Sequence, residues 1–246
     1  MRQLTAAARA DLTVPRRMIA GKIRNARVLL RRNGGPAVGG VVGQLGTLAG
    51  QAETAESAAS LLGFEGGSAR LYFEAFPSLL SPELSGALPG PAFSGLRNRR
   101  PPTDAVNALL SFCYALLAKE TMAASLIVGF DPYVGLFHRP RFGRPALALD
   151  LAEEFRSLLA DSVVLTLINN REIGATDFVA RAGAVSLTEE GRRKVLRAWE
   201  RRMTTGVRHP VFGYEVKYRR AIELQARILA AVLTGELATY EPLVTR

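Results

Sequence analysis

The chain has 246 residues, 48% apolar and 22% charged, with 32 Lys and Arg against 22 Asp and Glu for a net charge of +10. That is enough apolar material for one sizeable core and excludes a disordered chain, and the basic excess favours a polyanionic partner, nucleic acid before an anionic membrane. A lone cysteine, Cys113, excludes an intrachain disulfide framework and four-cysteine zinc sites. Charges interrupt every apolar run and the N-terminus lacks the apolar centre of a signal peptide, so no membrane association and a cytoplasmic setting are expected.

The pattern is mainly α, a single helical domain over residues 1–246 with at most a small hairpin. Residues 18–32 place apolar and basic positions at helical spacing, and the following Asn-Gly-Gly-Pro stops that helix. Further helices are expected over 52–62 and 64–80. Residues 81–102, rich in Pro, Gly and Ser, read as a mobile surface loop. Thr103 or Asp104 then caps a long helix to Val128. A Gly/Pro/Arg loop follows, and another long helix runs from Pro145 to about Asn170, apolar over most of its second half and therefore central. Residues 177–188 hold a Gly-centred turn between short apolar runs, a hairpin signal. A basic amphipathic helix follows from Thr188, the last helix is expected over 214–236, and the tail from Leu237 reads as loose.

Candidate chemistry gathers around acids and one of the two histidines. Glu65 shares a helix face with Ala69, Tyr72, Phe73 and Phe76, where a carboxylate needs compensation from a metal ion or from an arginine such as Arg70. Asp150 is followed by Glu153 and Glu154 at i+3 and i+4, and the helical wheel does not choose between the two glutamates. Acids in a first helical turn also suit the helix dipole without any catalytic role. His138 lies in the loop before them with Arg139, Arg141 and Arg144. One histidine with two or three carboxylates suits Mg²⁺ or Mn²⁺, and the arginines suit a phosphate backbone.

Four stretches, AGKIRNARVLLRR, GFEGGSARLYF, RNRRPPTDAVNALLSFCYALL and GFDPYVGLFHRPRFGRPALALDLAEEFR, resemble motifs of the CRISPR adaptation integrase family in the family's order. The resemblance covers about residues 22–240. It implies a helical catalytic domain with a divalent-metal site whose ligands match Glu65, His138 and Glu153, with Asp150 beside them. It also implies that the β-rich domain with which family members usually begin is absent here. Arg70 and Asn107 fall on motif positions, to support the ligands or touch DNA, with a structural ion pair and a helix hydrogen bond as the alternatives.

The reaction implied is metal-dependent transesterification, in which a DNA 3′-hydroxyl attacks a phosphodiester at a repeat edge. Water in place of the hydroxyl gives endonuclease activity. Double-stranded or branched DNA is the expected partner, with a homodimer and the small ferredoxin-like CRISPR adaptation protein as further ones. The candidate DNA-binding groups are Arg97, Arg99 and Arg100, Arg139, Arg141 and Arg144, and a helical stripe of Arg193, Arg197 and Arg201, for which a solvated face is the alternative. A non-catalytic DNA-binding or assembly module and a related transposase are the competing readings.

Overall fold

The computed structural model describes residues 2–9, 11–98, 100–139 and 141–245, with the Arg9 side chain outside that description. Among the described residues ten α-helices and two antiparallel hairpins surround one apolar core. The early helices are α1 (Arg2–Arg9), α2 (Thr13–Asn33), α3 (Gly39–Glu53), α4 (Ala58–Ala75) and the short α5 (Pro82–Gly86). Met18, Ile19, Ile23 and Leu30 make the buried stripe of α2, which packs on α3, α4 and the middle of the central helical run. Helix α3 was not legible because its five glycines, at positions 39, 40, 43, 46 and 50, depress helix propensity. Burial of Leu45, Ala49 and Ala52 against α2 overrides that preference.

The helix expected over 52–62 is two helix ends. Thr54 closes α3, and Ser57 caps α4 by exchanging side-chain and backbone hydrogen bonds with Ser60, both at 3.1 Å. Helix α4 therefore begins six residues before Phe64 and carries Glu65 in its interior. In the 81–102 segment Leu88 is buried and Phe93 meets Phe76 edge-on, with ring centroids 5.9 Å apart.

Helix α6 (Ala105–Val128) is capped by Asp104, whose side chain accepts from Asn107 N–H at 2.7 Å. Among the described residues it is the one helix long and apolar enough, by length and composition, to cross a membrane, contrary to the expectation of none. Its Leu109, Leu110, Cys113 and Leu117 are buried in the core, and Cys113 behaves as the small apolar filler its surroundings imply.

The central run is buried on nearly every side, as its composition foretold, but it is not a uniform α-helix. It comprises α7 (Ala146–Ala152), a tight 3₁₀ turn (Glu153–Phe155), a widened π turn (Arg156–Asp161) and α8 (Ser162–Asn169). Beyond it, β1 (Phe178–Arg181) and β2 (Ala184–Leu187) form the expected hairpin, turning through positive φ at Ala182 and Gly183. Helix α9 (Glu189–Met203) follows its Thr188 cap. A second hairpin, β3 (Gly206–Arg208) with β4 (Glu215–Lys217), takes the first residues of the segment expected to be wholly helical, and α10 (Tyr218–Thr234) takes the rest.

The C-terminal tail is not loose. Tyr240 and Leu243 are fully buried, the Tyr240 hydroxyl donates to Glu154 Oε1 at 2.6 Å, and Leu243 N–H donates to Oε2 at 2.7 Å. Gln225 donates to both oxygens at 3.1 Å and meets the second histidine, His209, at 3.1 Å. Asn25 ties the same place together by donating to the carbonyls of Glu154 and Leu243. Only glycine fits at position 21, where a Cβ would come within 2.5 Å of Pro242.

Burial pushes the Glu154 carboxyl up to about 7, against the opposing pull of the Tyr240, Gln225 and Leu243 donors. Between the ordinary value of 4.5 and about 7 the native chain keeps a proton that the unfolded chain has released. This contribution to stability is complete below the lower value and fades as pH rises towards the upper one. Urea unfolding across that window should show a decline of about 3 kcal/mol from this group. In Glu154→Gln the slope should flatten, and an unchanged slope would contradict the assignment.

Candidate functional site

Asp150, on α7 and almost fully buried, organises the loop in front of it. Its Oδ2 accepts the backbone N–H of Leu136 at 2.7 Å and of Phe137 at 3.0 Å, and its Oδ1 accepts that of His138 at 2.9 Å. The same Oδ1 lies 2.6 Å from His138 Nδ1. A carboxylate on Nδ1 favours the tautomer that leaves the Nε2 lone pair free, the arrangement by which acids prepare metal-binding histidines. Gly135 lets the loop wrap this closely, since a Cβ there would meet the His138 carbonyl at 2.5 Å and Asp150 Oδ2 at 3.0 Å.

His138 Nε2 faces Glu153, 3.9 Å from Oε1. Glu153 and Glu154, which the helical wheel left undecided, point to opposite sides of the run: Glu153 into a cleft and Glu154 towards Tyr240. Glu65 reaches the same cleft from α4. Its compensating cation is not Arg70, which lies exposed and stands 3.9 Å from Glu74, but Lys22 of α2. The Lys22 ammonium contacts Glu65 Oε1 and also stands 2.7 Å from Glu153 Oε2, to which it presents no hydrogen-bond geometry. Arg156 donates to Glu153 Oε1 at 2.9 Å. Burial opposes ionisation of Glu153, but Arg156 and Lys22 outweigh it and hold the carboxyl at about 2. Among the described residues no three His, Cys, Asp or Glu side chains form a ready-made ligand group.

The cleft has a volume of about 780 Å³, with Glu65, His138, Glu153 and Lys22 lining it together with Arg100, Arg141 and Arg144. Deeper in, Asp161 accepts from the Tyr72 hydroxyl at 2.7 Å and the Tyr114 hydroxyl at 2.6 Å. Burial raises the Asp161 carboxyl, although both hydroxyls and two arginines favour its charged form. Arg156 lies over the Tyr114 ring at 4.8 Å, so the chain of contacts from Asp161 ends on Glu153.

Several candidate DNA contacts have partners within the chain. Asn107 is fully buried, accepts from Arg97 and donates to the Leu96 carbonyl at 3.0 Å and Asp104 at 2.6 Å. Arg97 stacks between Phe73 and Tyr114, 5.3 and 5.4 Å from the ring centroids. The Arg193, Arg197 and Arg201 stripe is exposed and lies beside Glu189, Glu190 and Glu172 respectively. Arg139 is exposed on the His138 loop, and Arg99 lies outside the described residues.

Residues 1–201 match the family profile described as CRISPR associated protein Cas1. The chain belongs to the Cas1 family. It is 48% identical over 235 residues to CRISPR-associated endonuclease Cas1 3 of Thermus thermophilus, covering 96% of this chain and 67% of that one. It is also 48% identical over 228 residues to a CRISPR-associated exonuclease Cas4/endonuclease Cas1 fusion of Rhodospirillum rubrum, which covers 92% of this chain but only 39% of the relative's length. A solved CAS1 protein from Thermotoga maritima superimposes with a TM-score of 0.76 at 26% identity, over 95% of this chain and 66% of that one. A casposase bound to integration product superimposes at 0.80 with 24% identity, a likeness of fold, over 98% and 69% of the two chains.

Within this Cas1-family chain, sequence reasoning missed Lys22 and Arg156. Lys22 was detectable as a cation on an α2 face otherwise held by Ile19, Ile23 and Ala26, the mirror of the Glu65 anomaly. Arg156 was visible only as i+3 from Glu153, a spacing that many surface pairs share. The geometry makes Asp150 the support on which the His138 loop hangs. Asp150→Ala should lower unfolding free energy by about 3 kcal/mol or more, because several buried N–H groups lose their acceptor. A variant as stable as the parent in urea titration would contradict that role.

Proposed function

We propose that this chain carries the DNA-cutting and DNA-joining centre of a Cas1-type integrase, with Glu65, His138 and Glu153 as ligands of Mg²⁺ or Mn²⁺. The observation that supports it is the convergence of these side chains from α4, the His138 loop and the central run on one cleft, around an ammonium group lodged between the two carboxylates. That position favours positive charge, and Glu153 Oε2 has a short but misdirected partner there. Two carboxylates and one imidazole suit a small divalent ion that keeps open positions for water and phosphate oxygens.

When bound, such an ion supplies charge stabilisation at the phosphate and lowers the pKa of the attacking hydroxyl. The protein's own part is positioning. Asp150 aims His138, Arg156 fixes Glu153, and Arg100, Arg141 and Arg144 hold backbone phosphates at the rim with little base reading. A 3′-hydroxyl gives its proton to water as its oxygen forms the new P–O bond, while the target strand's 3′-oxygen leaves and takes up a proton from water. With water as nucleophile the same exchange is strand cleavage. A Cas6-RT-Cas1–Cas2 complex, one chain of which is 26% identical to this one at a TM-score of 0.79, supports a Cas2-type partner, the small ferredoxin-like protein expected from the sequence. Pairing with a second copy of the chain belongs to the same reading and is checked by light scattering.

With Mn²⁺ and branched or nicked DNA, the chain should cleave or join strands, and Glu65→Ala and His138→Ala should each reduce the rate about 100-fold or more. Salt-sensitive binding without turnover would select the non-catalytic module instead. Lys22 gives a second test that needs no turnover. In Lys22→Met the two carboxylates lose their tethered cation, so melting without metal should fall and Mn²⁺ affinity by calorimetry should rise about tenfold. Unchanged Mn²⁺ affinity would place the ion elsewhere.

A further inference from the structure

The cleft rim carries a feature that ligand chemistry and phosphate contacts leave unexplained. Residues 141–144 form a tight turn in which Arg144 N–H donates to the Arg141 carbonyl at 3.0 Å and the two residues pair as an isolated bridge. Gly143 supplies the left-handed step at φ +69°, a conformation that favours glycine at the third turn position. Phe142 stands at the apex, and its exposure of 109% exceeds that of any other large hydrophobic residue described; Leu96 follows at 73%.

A singly exposed apolar residue needs no explanation by itself. Phe142 differs in its setting. It is flanked by Arg141 and Arg144, and it lines the catalytic cleft on one side. It also lines a second hollow of about 650 Å³, shared with the partly exposed Tyr133. The ring thus belongs both to the cleft proposed for the reacting phosphodiester and to a hollow lined by a second aromatic side chain. Cationic groups for phosphates beside an exposed π-face are the chemistry that grips nucleic acid whose bases are not fully stacked.

We propose that Phe142 is a base-stacking wedge. With flanking phosphates on Arg141 and Arg144, its ring packs on an unstacked base next to the phosphodiester in the cleft. The chain therefore favours DNA that is branched, nicked or bent at that step over continuous duplex. This rests on the reading of the cleft as a DNA site, and it adds a structural preference that backbone contacts alone do not provide.

The test compares binding of two DNA probes, a branched duplex and a continuous duplex of the same length, in EDTA so that no chemistry intervenes. Phe142→Ala should weaken branched-DNA binding about tenfold and leave continuous-duplex binding within about twofold, with an unchanged salt slope. Phe142→Trp should retain the preference. Arg141→Ala should weaken both probes alike and reduce the salt slope. Because the ring is fully exposed, the melting temperature of Phe142→Ala should match the parent, which separates loss of stacking from loss of fold. If Phe142→Ala binds both probes as the parent does, or loses both equally, the wedge is overturned while the DNA site stands. Loss of self-association in light scattering with both DNA affinities intact would make Phe142 a protein contact and also overturns it. If the parent chain binds neither probe at moderate salt, the DNA reading itself fails.

Discussion

A single buried carboxylate, Asp150, holds the candidate site in register. One side chain from α7 gathers three consecutive backbone N–H groups and the Nδ1 of the histidine at the end of that stretch. Leu136 and Phe137 pack this loop against the core, and Asp150 on the helix beneath fixes its backbone. The consequence is directional: with Nδ1 committed to Asp150, Nε2 is the nitrogen left to face Glu153. Lys22 comes from α2, which packs on the central run, and Glu65 comes from α4, which packs on α2 and reaches the run through the Tyr72–Asp161 hydrogen bond.

That scaffold gives adjacent glutamates opposite environments. Glu153 sits between two cations and is held at about 2, whereas Glu154 sits among neutral donors and is pushed by burial to about 7. The difference arises from backbone geometry as much as from neighbours. The tight turn at Glu153–Phe155 and the widened turn at Arg156–Asp161 depart from regular α spacing, and Glu153, Arg156, Ser157 and Asp161 all line the cleft. Widened turns of this kind occur preferentially at functional sites. Glu154, turned inward, anchors the C-terminal tail, so one end of the chain braces the back of the turn whose front faces the cleft.

The helical class, the Asp104-capped α6, the 177–188 hairpin and the burial of the central run were legible because each rests on a local signal: a cap, a turn or a hydrophobic stripe. Glu65 was legible as a carboxylate on an apolar face. Long-range compensation was not. Lys22 lies 43 positions from Glu65 in the chain, and no local period announces that pair. The tail was read as loose because its short apolar content carries no period, and only the partners Glu154 and Asn25 reveal its place. Helix α3 was hidden by glycine, whose propensity cost is local while its packing reward against α2 is not. The choice between Glu153 and Glu154 depended on an irregular turn that an ideal wheel does not contain.

Net charge showed the same limit. A surplus of +10 suggests a basic protein everywhere, yet much of that positive charge is spent internally. Arg17 and Arg24 meet Glu53, the α9 arginines meet Glu189, Glu190 and Glu172, and Arg219 meets Glu200. Among the described residues, Arg100, Arg141 and Arg144 at the rim of the cleft have no such acid. The floor carries Glu65 and Glu153 and is balanced by Lys22. Under the proposed function a polyanion would be drawn to the rim and a cation to the floor, each favouring the other's arrival. Phosphate at the rim raises the attraction for positive charge below, while positive charge below relieves the repulsion between phosphate and carboxylates. Coulomb coupling of this kind is strong over a few ångströms in a partly buried cleft and weak on an open, salt-screened surface. For the proposed function, the position of the rim arginines beside the cleft carries more weight than the number of basic residues in the chain.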